Sequence, residues 1–387
     1  MTGTRYTTTE MIERLVGFDT TSSLSNMALI EFVRDYLAGL GVSAHVVPDP
    51  AGDKANLFAT IGPNEAGGVA LSGHTDVVPV AGQDWDSDPF RVVRRGDRLF
   101  GRGTADMKSF IAAVLVMVPE FLARDLKKPI HLAFSYDEET GCTGVQHMIA
   151  EFGDTLPMPA IVIVGEPTGM TVANAHKGGA GLTTTVTGVE AHSSLTHIGV
   201  NAIAAAAELI GVLGRIGRDL EARGDPANGF EPPYTTVSVG KIQGGTALNI
   251  IPKTCQFGWE FRNLPGDDPE EIPGRFNDYV EGDLLPRMRA VDPRAAVETE
   301  LNVYVPPCRP EAESPAETLV KSLLGANRAH VVSYCTEAGL FQAAGASAVL
   351  CGPGHIAQAH QPNEFIDLEQ VAACETFLRR LADWAAA

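Results

Sequence analysis

His74 and Asp76 stand two residues apart at the end of an apolar run, in SGHTDVVPV (72–80). Four further polar clusters follow apolar, strand-like runs in the same way. Asp106 comes after RLFGRGT and opens a helix with Met107-Lys108; Asp137-Glu138-Glu139 comes after IHLAFSY; Glu166 comes after AIVIVG; and His355 and His360 come after VLCGPG. Each has a plainer role when taken alone: a turn histidine, a carboxylate at a helix N-terminus, a solvated acidic turn, a glutamate ending a strand before proline, a loop histidine. Taken together they form the mixed nitrogen and oxygen donor set that suits Zn²⁺, with Co²⁺ and Mn²⁺ as alternatives. Open α/β sheets build their sites at such strand ends.

The number of donors suggests a paired site. Two ions about 3.5–4 Å apart need one bridging carboxylate, and Asp106 is the natural bridge. The candidate sets are His74, Asp106 and Glu166 for one ion, and Asp106, Glu139 and His360 for the other. Each leaves coordination positions open, as catalysis requires. Glu138 remains over. In an extended chain Glu138 and Glu139 point to opposite sides, so Glu139 can ligate while Glu138 faces the cleft as general base. Asp76 can accept the second ring N–H of His74 and fix its tautomer.

The elements that must position these residues read as α/β. Thr7 and Glu10 have capping-box spacing before Met11, Ile12, Leu15 and Val16, which predicts an N-terminal amphipathic helix. A second helix runs through Ile30, Val33 and Leu37 until Gly41 ends it. Short runs rich in Val, Ile, Leu and Phe then alternate with helical stretches, the pattern of a mixed, mainly parallel sheet with helices on both faces. Between 179 and 305 the order becomes β-α-β-β-α-β, a ferredoxin-like insert. The catalytic α/β domain is then expected as 1–178 and 306–387, with 179–305 as the inserted domain.

Bulk properties narrow the function. The 387 residues carry 29 basic and 48 acidic side chains, a formal charge of −19. With no basic stretch to neutralise phosphates, nucleic-acid binding is not expected. No apolar segment approaches the roughly 18 residues of a membrane span, and the N-terminus lacks a charged-then-apolar leader pattern. Six scattered cysteines with no C-x-x-C pair suggest neither a disulfide framework nor a zinc ribbon. The expectation is a soluble cytoplasmic enzyme.

The motifs SGHTDVVPV, GRGTADMK, DEETGC, VGEPT, AHKG, EAHSS, GGTALNIIP, FRNLPG and GPGHIAQAHQPNEF, in this order over nearly the whole chain, resemble those of the M20 family of metallopeptidases and amidohydrolases. The resemblance implies the same five ligands, with Asp76 as orienting residue and Glu138 as base. It also implies that the insert is a lid and homodimerisation domain, that His192 reaches the partner subunit's active site to stabilise an oxyanion, and that Asn249 and Arg262 bind substrate. The activity it implies is hydrolysis of N-acyl amino acids, foremost N2-acetyl-L-ornithine in arginine biosynthesis. Removal of succinyl from N-succinyl-diaminopimelate, or a broader N-acyl amino acid hydrolase or dipeptidase, is the alternative.

A non-catalytic metal-binding protein is the rival of a different class, and an intact Glu138 beside a full donor set argues against it. A serine hydrolase using Ser193 or Ser194 lacks the G-x-S-x-G elbow. Ser109 departs from the glycine that relatives commonly carry after the motif lysine, and implies a local packing adjustment. Lys108 and Lys177 have no assigned chemical step.

Overall fold

The computed structural model describes residues 5–387. The chain divides into two compact units: one comprises residues up to Ala175, Cys308–His330 and Thr336–Ala387, and the other comprises His176–Pro307 with Val331–Cys335.

In the first unit the capping box forms as expected. Thr7 accepts from the Glu10 amide, the Glu10 carboxylate accepts from the Thr7 amide, and the helix Thr8–Val16 follows. The helix Met27–Gly39 stops just before Gly41, whose φ of +84° lies in the left-handed region open to glycine. The eight-stranded sheet runs in the order Ala44–Pro48, Ala55–Ile61, Ile130–Ser135, Val69–His74, Ile161–Pro167, Ser347–Gly352, Ala173–His176, His330–Val332. Its centre, from Ile130–Ser135 to Ser347–Gly352, is parallel, and antiparallel strands flank it. These four central strands are buried along their whole length, as parallel strands covered by helices must be.

The helix Lys108–Leu122 is apolar almost all round and buried between the sheet and the helices Thr8–Val16 and Leu368–Ala386. Because the central strands are parallel, their C-terminal ends share one edge. His74, the Asp137–Glu139 segment, Glu166 and the segment after Gly352 all leave the sheet there.

The second unit is built from the strand Gly179–Thr187, the helix Ala202–Ala222, the strands Thr236–Gly244 and Thr254–Arg262, the helix Glu271–Tyr279 and the strand Ala296–Val305. All pairs are antiparallel, in the spatial order second, third, first, fourth, which is the ferredoxin-like arrangement. Burial alternates along the two central strands, so one face packs under the helices. Trp259 lies there against Phe276, its indole N–H donating to Thr184 Oγ1 at 3.0 Å. No helix among the described residues is long and apolar enough to cross a membrane.

Gly165 shows how tightly sheet and helix meet beside the strand-end residues. A Cβ added there would lie 2.1 Å from carbons of the Phe110 ring. We expect Gly165→Ala to destabilise the chain by about 1–3 kcal/mol through overpacking. In urea unfolding the midpoint should fall with the slope unchanged; an unaltered midpoint would show that the strand and helix yield freely.

Candidate metal centre

All five expected ligands lie in the first unit, and the fold brings them together. His74 ends its strand, Glu166 is the next-to-last residue of its own, Asp106 lies two residues before the Lys108–Leu122 helix begins, Glu139 sits in the turn after Ile130–Ser135, and His360 lies in the loop after Ser347–Gly352. The Asp106 carboxylate occupies the middle. Its Oδ1 is 3.0 Å from His74 Nε2, and its Oδ2 is 3.4 Å from His360 Nε2. Glu139 Oε2 stands 3.0 Å from His360 Nε2, and Glu166 Oε1 stands 3.9 Å from His74 Nε2. Ligand atoms of His74, Asp106 and Glu139 all lie within 4.8 Å of one another.

The donor set fits divalent cations on three counts. His74 Nδ1 is 2.9 Å from the Asp76 main-chain carbonyl; an N–H there leaves the Nε2 lone pair facing carboxylates, an arrangement that needs a cation between them. Glu166 Oε1 is buried without a hydrogen-bond partner, which is costly for a carboxylate unless a cation takes the position. The protonation behaviour agrees. Burial, then the Asp106 charge, raises Glu166 well above the usual carboxylate range, and the same two causes raise Glu139. Burial acts against a charged His74, but hydrogen bonding to Asp106 and Asp76 raises it well above its ordinary value. Hydrogen bonds to Asp106 and Glu139 raise His360 to about 10. Burial disfavours the Asp106 anion, yet the two histidines hold it below the ordinary range. Without metal the cluster therefore gathers protons, and it is their positive charge that cations replace.

Two expectations need correction. Glu138 and Glu139 are not in extended chain: the Gly141 and Cys142 amides both donate to the Glu138 carbonyl, forming a turn. Within this turn the side chains meet different partners, Glu139 facing His360 and Glu138 Oε1 accepting from Cys142 Sγ at 3.6 Å. Asp76 also does more than orient His74. The main-chain carbonyl of Asp76 is the nearer partner of His74 Nδ1, with the carboxylate 3.5 Å away. That carboxylate accepts from the amides of Glu138 at 3.1 Å and Glu139 at 3.3 Å, and from Ser22 Oγ at 2.7 Å. It thus pins the acidic turn to the strand end that carries His74.

The remaining residues fall in the second unit. His192 and Asn249 are neighbours: Ile250 bridges to His192, and the Ser193 amide donates to the Asn249 carbonyl. His192 is exposed, and its Nδ1 accepts from the Ser194 amide at 3.2 Å. Arg262 sits apart from that pair at the end of its strand, donating to Glu260 at 3.0 Å and to Cys335 Sγ at 2.9 Å.

The two motif lysines hold loops: Lys108 Nζ donates to the Phe18 carbonyl at 2.8 Å, and Lys177 Nζ donates to those of Pro232 and Tyr234, each at 2.7 Å. The Ser109 hydroxyl is accommodated by donating to the Thr104 carbonyl at 2.5 Å. Sequence reasoning missed Glu364 and Glu337. Glu364 accepts from the amides of Gly103, Ala105 and Asp106; its place in the His360 loop was the available signal. Glu337 is a buried carboxyl raised to about 7 by burial and touched by the Ser72 hydroxyl, and nothing in its local sequence marks it.

Residues 70–384 match the sequence profile of Peptidase family M20/M25/M40, and the chain belongs to this family of hydrolases. Among its relatives, acetylornithine deacetylase of Yersinia pestis is 36% identical over 371 residues, covering 94% of this chain and 92% of the relative. The enzyme of the same name from Pasteurella multocida is 34% identical over 379 residues, covering 96% of each. The fold is also that of the M20 family metallo-carboxypeptidase Sso-CP2 from Sulfolobus solfataricus (TM-score 0.76, 18% identity, 98% and 99% coverage). It is likewise that of the Bacillus subtilis YXEP protein, described as a dinuclear metal-binding peptidase (TM-score 0.65, 16% identity, 97% coverage of both).

Asp106 offers one carboxylate oxygen to each histidine, so its loss should be felt by both. Asp106→Ala, dialysed with Zn²⁺ and measured by elemental analysis, is expected to hold neither ion; full occupancy would reject the bridge.

Proposed function

We propose that this hydrolase is a dinuclear metal-dependent amidohydrolase that removes an acyl group, foremost acetyl, from the nitrogen of an amino acid. N2-acetyl-L-ornithine is the favoured substrate, which would place the reaction in arginine biosynthesis. The observation that carries the reading is the split use of the Asp106 carboxylate, one oxygen toward His74 and the other toward His360. The relatives named acetylornithine deacetylase supply the substrate. The ions are Zn²⁺ in this reading, with Co²⁺ or Mn²⁺ compatible with the same donors.

His74, Asp106, Glu139, Glu166 and His360 would hold two divalent cations, which would supply Lewis acidity toward the scissile carbonyl and the attacking water. Glu138 takes the proton from that water as it attacks and returns it to the departing amine nitrogen. The Asp76 carboxylate keeps Glu138 in place through its backbone amide. In the second unit, acceptance of the Ser194 amide at His192 Nδ1 places the ring proton on Nε2. An exposed N–H donor of this kind suits stabilisation of an oxyanion in the partner subunit. Asn249 and the planar fork of Arg262 are assigned to the substrate, the fork to its carboxylate.

The homodimer is part of the same proposal. Leu195, Ile198, Ile242, Leu248 and Leu301 are exposed in the second unit, Leu248 fully, and burying such side chains against a second copy would favour association.

Glu138→Ala is expected to keep both metals and lose at least about 10²-fold in kcat, read from acetate release alongside metal content; retained turnover would remove Glu138 from the base role. Acetate release from N2-acetyl-L-ornithine is expected to exceed succinate release from N-succinyl-diaminopimelate; the reverse order would favour the desuccinylase. Light scattering should give twice the chain mass, and Leu248→Glu should lower it toward the monomer. A monomeric wild-type protein would reject the dimer.

A further inference from the structure

His360 and Asn363 hold left-handed φ values of 63° and 58°, a conformation that non-glycine residues keep only where the surroundings over-determine it. The surroundings here come from a loop far away in sequence. Gln83 Nε2 donates to the His360 carbonyl at 2.9 Å, and Asn363 Oδ1 accepts from the Asp86 amide at 2.9 Å. The other end of the Gln83 amide is equally engaged, its Oε1 accepting from Arg102 Nη2 at 2.5 Å and Trp85 Nε1 at 3.1 Å.

Arg102 is fully buried, lies over the Trp85 ring at 5.1 Å, and donates to Glu364 Oε2 at 2.8 Å. Glu364 closes the circuit by accepting from the amides of Ala105 at 2.8 Å and Asp106 at 3.0 Å. One unbroken path of polar contacts therefore joins the backbone of Asp106 to the backbone of His360. Their side chains meet again at 3.4 Å across the candidate centre.

We propose that Gln83, acting through its contacts to His360 and Arg102, is a positioning residue for the metal position formed by Asp106, Glu139 and His360, so that cutting this brace weakens that position selectively. The inference rests on the ligand reading given above. The other position draws on His74, fixed by the Asp76 carbonyl, and on Glu166, fixed in its strand. Asp106 serves both, but Glu364 holds its amide whether or not Gln83 is present.

The test is zinc titration of the full chain by calorimetry, with His360→Ala identifying the position that His360 serves. Gln83 is only half-buried in a surface loop, so Gln83→Ala should leave metal-free thermal unfolding nearly unchanged. It should raise the dissociation constant of the His360-served position about 10-fold or more, as loss of an outer hydrogen-bond partner does, and leave the other position alone. Gln83→Glu keeps an acceptor for Arg102 but has no donor for the His360 carbonyl, and should behave like Gln83→Ala; wild-type affinity in Gln83→Glu would overturn the contact to His360 as the cause. Equal weakening of both positions in Gln83→Ala, or no change at either, would overturn the brace. His360→Ala that still binds two ions would instead overturn the ligand reading, so the two failures are distinguishable.

Discussion

The Asp106 carboxylate, shared between histidines that lie 286 residues apart in the chain (74 and 360), is the constraint on which the first unit depends. An anion buried with two more carboxylates nearby is strongly unfavourable unless positive charge meets it. The sheet creates the problem by burying its strand ends, and it also makes the solution possible. Parallel central strands deliver Glu166, His74 and the Glu138–Glu139 turn to one edge at the fixed spacing of neighbouring strands. Loops from elsewhere then lock those ends. Thr20 donates to the Thr75 carbonyl, Thr75 donates to that of Ser135, and Asn26 reaches both Ala55 and Thr75. The strand ends are thereby held by the protein's own hydrogen bonds.

Much of this was legible in the sequence because the relevant signals are local. Apolar runs mark buried strands, and a carboxylate or imidazole directly after such a run marks a strand-end position. The capping box at Thr7 and Glu10 and the stop at Gly41 likewise need only a few neighbouring residues. The less legible features depend on partners distant in the chain. Glu364 and Arg102 meet across 262 residues, and Glu337 reaches Ser72 across 265. No periodicity distinguishes such carboxylates from surface ones. The Glu138–Glu139 turn was misjudged for a related reason: both amides are directed onto Asp76, about 60 residues earlier, and this tertiary contact overrides the extended continuation of the strand. The same limit applies to Val331–Cys335, which belongs with the second unit although its sequence reads like the α/β run around it.

Substrate choice is a separate matter from the ligand set. The fold is shared with a metallo-carboxypeptidase and with a protein described as a dinuclear metal-binding peptidase. A fold held in common by proteins with such different names cannot itself select a substrate. Selection has to come from side chains that the shared scaffold leaves free to vary. In the second unit Arg262 divides its fork between Glu260 and Cys335, so part of its hydrogen-bonding capacity is met within the chain. A planar guanidinium fork is matched best by a bidentate carboxylate, whose two parallel bonds exceed what one weak acceptor offers.

The backbone carries the same division of labour. Among the described residues, positive φ outside glycine occurs at Asp137, Cys142, Met170, His360 and Asn363. Four of these flank the candidate centre in sequence: two bracket Glu138 and Glu139, one is His360 itself, and one follows it by three residues. Left-handed geometry turns the chain sharply enough for adjacent side chains to serve different ends, which a strand or helix would not allow. At the acidic turn, Asp137 and Cys142 stand on either side of Glu138 and Glu139, which meet Cys142 and His360 respectively. At His360 it lets the ring face Asp106 and Glu139 while the carbonyl faces Gln83. The strain is thus concentrated where one short segment must satisfy two partners at once, and the regular sheet beneath it provides the rigidity that keeps those bends in place.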